Sequence, residues 1–328
     1  FEQVGGLYHA RQELVQELIL PLTNPQLSSL YNRSTNPKVF LYGPASCGKS
    51  HLCKALATES EIAFIPIRPV DFIDLTFEEA EFKLMQMVSV ARETKPAIFI
   101  VDEVSWLAEK SAEGQVAEDY ERRLLMHSIL KILLELLNGR YTMNSQIGLV
   151  VTSNQPWNLE QSFFESTKID KHIFVSPPTH QEKIEILEAV INSKQSPIVQ
   201  LQNVDAESVI NLVGKILYTP ADIEELVENT LSRLMLNQVA MLKTSVKERS
   251  QLLTTEKLIE TATQLRTSNA SLKNWFTNAS KLKGSYLEVL LPSIFSPRQY
   301  NKPFSWVSTA AKMISAKIKQ RLKTFKKK

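Results

Sequence analysis

Between residues 38 and 176, short runs of β-branched and aromatic residues alternate with longer stretches whose apolar positions recur at three- and four-residue steps. That alternation predicts parallel strands joined by crossover helices. The predicted strands are residues 39–42, 63–67, 97–101, 147–152 and 173–176, so the expected fold class is α/β with a doubly wound, five-stranded parallel sheet. After Pro177 and Pro178 the strand signals stop, and Thr179, Asp205, Thr219 and Thr255 each stand where a helix N-cap is expected. Pro220 suits a first helical position, where its missing N–H has no intrahelical partner to lose. Beyond Ser268 the chain turns richer in Ser, Asn and Lys and is broken by Pro292, Pro297 and Pro303. The expected division is therefore an α/β domain over 1–178, a small all-helical domain over 179–267 and a C-terminal extension over 268–328.

The strand ends carry the chemistry. Strand 39–42 runs into Gly43-Pro44-Ala45-Ser46-Cys47-Gly48-Lys49-Ser50, which satisfies G-x-x-x-x-G-K-[ST] and precedes a helix-compatible stretch beginning at His51. Glycines let backbone N–H groups close on phosphate, the helix N-terminus adds partial positive charge, Lys49 reaches the β and γ phosphates, and the Ser50 hydroxyl suits Mg²⁺. Strand 97–101 ends in Asp102-Glu103, a Walker B candidate in which Asp102 supports the metal and Glu103 orients the attacking water. Strand 147–152 leads to Asn154. Parallel strands finish on one edge of the sheet, so its amide can sit beside Asp102 and face the γ-phosphate or the water. Cys47 has two readings: a thiolate favoured by the helix terminus and Lys49, or a buried inert thiol.

Composition narrows the class. The chain has 328 residues, 43% apolar and 22% charged, a length for about two domains and a profile that excludes collagen-like or wholly disordered chains. No window reaches about 18 uninterrupted apolar residues, so neither a membrane span nor a secretory leader is expected. The chain begins at Phe1, which points to sequence upstream. Cys47 and Cys53 match neither a disulfide framework nor a zinc pattern, so a reducing cytoplasm is the expected compartment. The net charge of +3 hides an asymmetry: residues 298–328 hold ten Lys or Arg and no acid, leaving −7 on the remainder. Within that tail Trp306, Val307, Ala310, Met313, Ile314, Ile318, Leu322 and Phe325 recur at helical spacing among lysines, predicting a cationic amphipathic helix. Its alternatives are packing on the body, an acidic partner or neighbouring subunit, an anionic membrane, and nucleic acid.

Together the three motifs resemble the AAA family, the group of katanin, spastin and valosin-containing protein, with a P-loop NTPase fold of the AAA+ kind. The likeness covers Phe1 to about residue 266, starting at Phe1-Glu2-Gln3-Val4-Gly5-Gly6-Leu7 and Leu20-Pro21-Leu22 and ending with Tyr218-Thr219-Pro220-Ala221-Asp222 in place of a Gly-Ala-Asp step in the helical lid. The resemblance implies ATP or ADP with Mg²⁺ as cofactors. It places Val4, Gly5 and Gly6 at the adenine, residues Gly43 to His51 at the phosphates, Ser50 and Asp102 at the metal, and Lys49, Glu103 and Asn154 in catalysis. It also implies a homo- or hetero-oligomeric ring acting on a protein client.

Two stretches depart from the family pattern. Where it has arginines reaching a neighbour's γ-phosphate, this chain has Glu165 and Lys168, and no arginine occurs between Trp157 and Pro177. Lysine lacks the planar fork and glutamate repels phosphate, so slow hydrolysis is expected without a partner arginine. Where the family has its aromatic-aliphatic-glycine pore loop, the chain reads Leu75-Thr76-Phe77-Glu78-Glu79, with Phe77 either a shifted substitute or a core residue. Arg122 and Arg123 read as a solvated helix face or an interface. The leading expectation is an ATP-driven remodeller of proteins or assemblies; the alternative is a hydrolysis-poor nucleotide-binding subunit of a hetero-oligomer.

Overall fold

The computed structural model describes residues 5–68, 71–72, 75–104, 128, 131, 146–159, 168–194, 200–201, 204–214, 219–243, 252–262, 265 and 269–281. Val4, Arg122, Arg123, Glu165, Tyr218 and the basic segment 282–328 lie outside them. The chain divides into two compact units: one built from Tyr8–Ser176, the other from the segment ending at Leu7 together with Pro177–Ser280.

The first unit opens with α1 (Tyr8–Leu14), a π-helical turn (Val15–Ile19) and α2 (Leu20–Thr23), followed by α3 (Pro25–Leu30). The wide turn falls where Pro21 lacks the N–H that an α-helix would point at Glu17 and where its ring would crowd that carbonyl. Then come β1 (Lys38–Tyr42), α4 (Lys49–Glu59), β2 (Ala63–Ile67), α5 (Phe77–Glu93), β3 (Ala97–Val101), β4 (Ile147–Ser153) and β5 (Lys171–Phe174). All five strands are parallel, in the order β2-β3-β4-β1-β5. The three inner strands are buried along their whole length, whereas β2 and β5 at the edges are not. Helices therefore cover the inner strands: α4 packs against β2, β3 and β4, and the π-helical turn packs against β1. Continuous apolar runs such as Phe40-Leu41 and Ile98-Phe99-Ile100 follow from that cover, each side chain contributing about 1.5–3 kcal/mol on burial.

Four predicted strands match in extent or within one residue, but the last lies two residues earlier, at Lys171–Phe174 instead of 173–176. As an edge strand β5 accepts polar residues: Lys171 reaches Glu13 at 3.0 Å, and the His172 ring packs edge-on against Phe40. Phe77 is not core. It is 48% exposed at the first position of α5, while Thr76 caps that helix in a capping box with Glu79. The stretch aligned with the pore loop is thus a helix start.

The second unit contains α6 (His180–Ser193), α7 (Ala206–Val213), α8 (Pro220–Lys243), α9 (Thr255–Ala262) and α10 (Asn269–Lys281). It also contains a short parallel pairing of β6 (Gln200–Leu201) with β7 (Leu252–Leu253), which the sequence pattern does not signal. Thr179, Asp205 and Thr219 cap their helices as expected. Thr255 instead lies inside α9, and its hydroxyl accepts the Asp205 N–H at 3.0 Å. Ile184, Leu187, Val209, Ile210, Ile223, Leu226 and Leu258 share one apolar core. The Gly-Gly pair packs on α6: a Cβ at Gly5 would lie 2.5 Å from the Ile186 nitrogen, and the Gly6 and Leu7 N–H groups donate to Glu185 and Glu182.

Lys183 in this unit is half-buried and donates to the Gly214 carbonyl at 2.9 Å. Burial lowers its pKa below 10.5, against the opposing field of Asp222. Between that lowered value and 10.5 the unfolded chain holds the extra proton, so this lysine makes stability rise with pH in that window. Urea midpoints measured from pH 8 to pH 10.5 should climb less steeply in Lys183→Met than in the parent; parallel profiles would remove Lys183 as the source.

Candidate functional site

The strand order sets the C-terminal ends of β3, β4 and β1 side by side, with β4 in the middle. Val101 of β3 is level with Val151, and Tyr42 of β1 is level with Ser153. The loop after β1, the acids after β3 and the amide after β4 therefore meet at one edge, where open α/β sheets bind ligands.

The loop from Gly43 to Gly48 turns sharply into α4. A Cβ at Gly43 would sit 2.2 Å from the Val175 carbonyl oxygen, so a larger residue forces β1 and the end of β5 apart. Ser46 and Gly48 have left-handed φ of 63° and 87°, and Ala45 and Ser46 face solvent at the tip. Lys49, the first residue of α4, is only 6% exposed. Its ammonium donates to the carbonyls of Gly43 at 3.0 Å and Pro44 at 2.8 Å, and to Asn154 Oδ1. Burial pushes its pKa down, opposed by the fields of Cys47, Glu103 and Asp102.

Asp102 faces the start of the same helix. Ser50 Oγ donates to both its oxygens, at 2.7 and 2.8 Å, and Thr152 Oγ1 donates to Oδ1 at 2.5 Å. The Thr152 oxygen in turn accepts the Glu103 N–H at 2.9 Å. Glu103 has a left-handed φ of 55°, and its carboxylate accepts the Asn154 N–H with both oxygens at 3.0 Å. One connected network thus joins Lys49, Asn154, Glu103, Thr152, Asp102 and Ser50.

Of the residues singled out from the sequence, Lys49, Ser50, Asp102, Glu103 and Asn154 are brought together. His51 is exposed on α4, and Gly5 and Gly6 belong to the second unit. Cys47 is fully buried inside the loop, which favours the inert-thiol reading over a reactive one. Lys168, the described one of the two positions aligned with the family arginines, is exposed in a turn with φ 48°. Sequence reasoning missed Thr152. Its signal is a polar residue, fully buried, closing the apolar run from Ile147 to Val151.

Residues 39–177 match the model of the ATPase family associated with various cellular activities (AAA). The chain is 26% identical over 230 residues to a cell division cycle protein 48 homolog of Archaeoglobus fulgidus, covering 70% of this chain and 28% of that protein. It is 27% identical over 231 residues to vacuolar protein sorting-associated protein 4 of Dictyostelium discoideum, covering 70% and 49%. With the ribosome biogenesis ATPase RIX7 of Saccharomyces cerevisiae it shares 28% over 229 residues, covering 69% and 26%. The chain thus spans half or less of the length of each of these relatives. A parallel five-stranded sheet, a phosphate-type loop, an acidic strand end and a sensor-like amide, in register and in the matched segment, give one conclusion: the chain carries an AAA ATPase domain over residues 39–177.

Proposed function

We propose that this chain is the ATP-binding and ATP-hydrolysing module of a machine that remodels proteins or protein assemblies as an oligomeric ring. The observation that carries the reading is the meeting of Lys49, Ser50, Asp102, Glu103 and Asn154 at adjacent strand ends. The donor set fits a magnesium nucleotide: a hydroxyl and a carboxylate suit a hard cation, and a helix start with a buried ammonium suits phosphates. Mg²⁺ held by these groups would supply positive charge to offset that of the phosphates. Lys49 would exchange its loop carbonyls for phosphate oxygens, Ser50 and Asp102 would hold the metal side, Glu103 would orient the water, and Asn154 would hold the γ-phosphate or that water. Cys47 and Cys53, both buried and outside any disulfide, suit a reducing compartment such as the cytoplasm.

The relatives' names, a vacuolar protein sorting-associated protein and a ribosome biogenesis ATPase, support the remodelling half of the reading. The alternative, a subunit that binds nucleotide without hydrolysing it, gains no support because both carboxylates stand in place. With Glu165 and Lys168 where the family has arginines, turnover of the chain alone is slow. A neighbouring subunit's arginine would raise it, arginine fingers contributing about 10³ to 10⁵ in rate. The test is ATPase rate per chain against protein concentration, with particle size followed in ATP. Particles of this chain alone should form in ATP yet turn over slowly, and mixing with an arginine-bearing subunit should raise the rate; a chain that stays monomeric in saturating ATP, with and without such a subunit, would overturn the ring.

A further inference from the structure

We propose that the Thr152 hydroxyl is a positioning residue for the metal-side carboxylate and the water-orienting glutamate, locking Asp102 and the Glu103 backbone into one geometry. The proposal rests on the nucleotide reading above and deepens it.

Thr152 sits near the end of β4, between β3 and β1, and is fully buried. A hydroxyl has one proton to give and lone pairs to receive. Here the proton goes to Asp102 Oδ1 at 2.5 Å, and a lone pair takes the Glu103 N–H at 2.9 Å. The same oxygen therefore touches two consecutive residues that have different jobs. It fixes the side chain of Asp102 and the backbone of Glu103, and the latter is held at φ 55°, a conformation that non-glycine residues adopt only under local constraint.

Ser50 also donates to Asp102, but its hydroxyl is itself a metal-side group. A cation would take a lone pair of the Ser50 oxygen, so the position of that hydroxyl would follow the metal even while its proton stays with Asp102. Thr152 has no such second task, so its bond to Asp102 survives loading of the site. Supporting donors of this kind orient a carboxylate beside a metal, and their removal typically costs about 10- to 100-fold in metal affinity. Valine has the same shape without the hydroxyl. It leaves the half-buried Glu103 N–H without this acceptor and Asp102 with one donor fewer.

The experiment is a fluorescence titration of a labelled ADP, with and without Mg²⁺, on the parent, Thr152→Val, Thr152→Ala and Thr152→Ser, with thermal melts recorded alongside. In the parent, Mg²⁺ should tighten ADP binding. In Thr152→Val, binding without metal should stay within about twofold of the parent, while half-saturation requires about tenfold more Mg²⁺. Thr152→Ser, which keeps the hydroxyl, should restore the parental Mg²⁺ requirement. Thr152→Ala repeats the hydroxyl deletion with room for solvent, so the comparison stands even where valine disturbs folding. A parental Mg²⁺ requirement in folded Thr152→Val or Thr152→Ala would overturn the proposal, as would a serine variant as impaired as the alanine one. A parent that binds no nucleotide at all would instead remove the nucleotide reading, and this proposal with it.

Discussion

Lys49→Ala is expected to lower ATP affinity by about 10- to 100-fold, the equivalent of one charged hydrogen bond lost at about 1.5–3 kcal/mol. The ammonium is buried at the base of the loop, where it gathers the Gly43 and Pro44 carbonyls and the Asn154 amide oxygen. Those acceptors are neutral, and phosphate oxygens are charged, so exchange to nucleotide strengthens every bond the lysine makes. Burial, which already disfavours the isolated ammonium, increases the gain from an anionic partner. Removing the side chain therefore withdraws the main positive charge from the loop and also frees the carbonyls it gathers. Calorimetric titration of ATP with Mg²⁺ checks this, and parental heats from Lys49→Ala would mean that the phosphates lie elsewhere.

The second large effect is expected at Glu103. Exchange for Gln should reduce turnover by about 10² to 10⁴, the usual contribution of a positioned general base, while ATP binding persists and the nucleotide is retained unhydrolysed. The amide keeps the size of the side chain but cannot take up a proton. In this structure the carboxylate accepts the Asn154 N–H with both oxygens, which orients the group while further lone pairs remain for a water. Single-turnover hydrolysis separates this step from binding. Unchanged turnover in Glu103→Gln would remove the residue from the chemistry.

The candidate site was legible in the sequence because its parts are contiguous motifs. The glycine loop, Asp102-Glu103 and Asn154 each follow an apolar run, and a parallel sheet collects such run-ends at one edge. Thr152 was hidden for the opposite reason. Threonine is a common strand former, and only the register of β4 between β3 and β1 turns it from a strand residue into the centre of a network. The backbone of Glu103 was hidden as well, since glutamate gives no local cue for a positive φ. The start of β5 escaped because Lys171 and His172 are poor hydrophobic signals, and their partners, Glu13 and Phe40, lie more than a hundred residues earlier. Phe77 shows the limit of composition: an aromatic at this spacing suits a core position as well as a shifted pore loop, yet Thr76 and Glu79 start a helix on which it is exposed.

The hydrogen bonds from Gly6 and Leu7 to Glu185 and Glu182 close loops of 179 and 175 residues. The segment at residues 5–7 is made before the first unit, yet the helix that receives it is made only after the entire first unit. Glu182 also caps its own helix through Thr179, so one carboxylate waits on both a local and a very distant partner. Vectorial synthesis thus lets the sheet unit form first as an insertion in the sequence of the other, and the second unit reaches its final contacts only when residues 5–7 join the helices made after it. Contacts this far apart in sequence form slowly, and a ribosome-bound chain ending near residue 176 would hold a segment with no binding partner yet made.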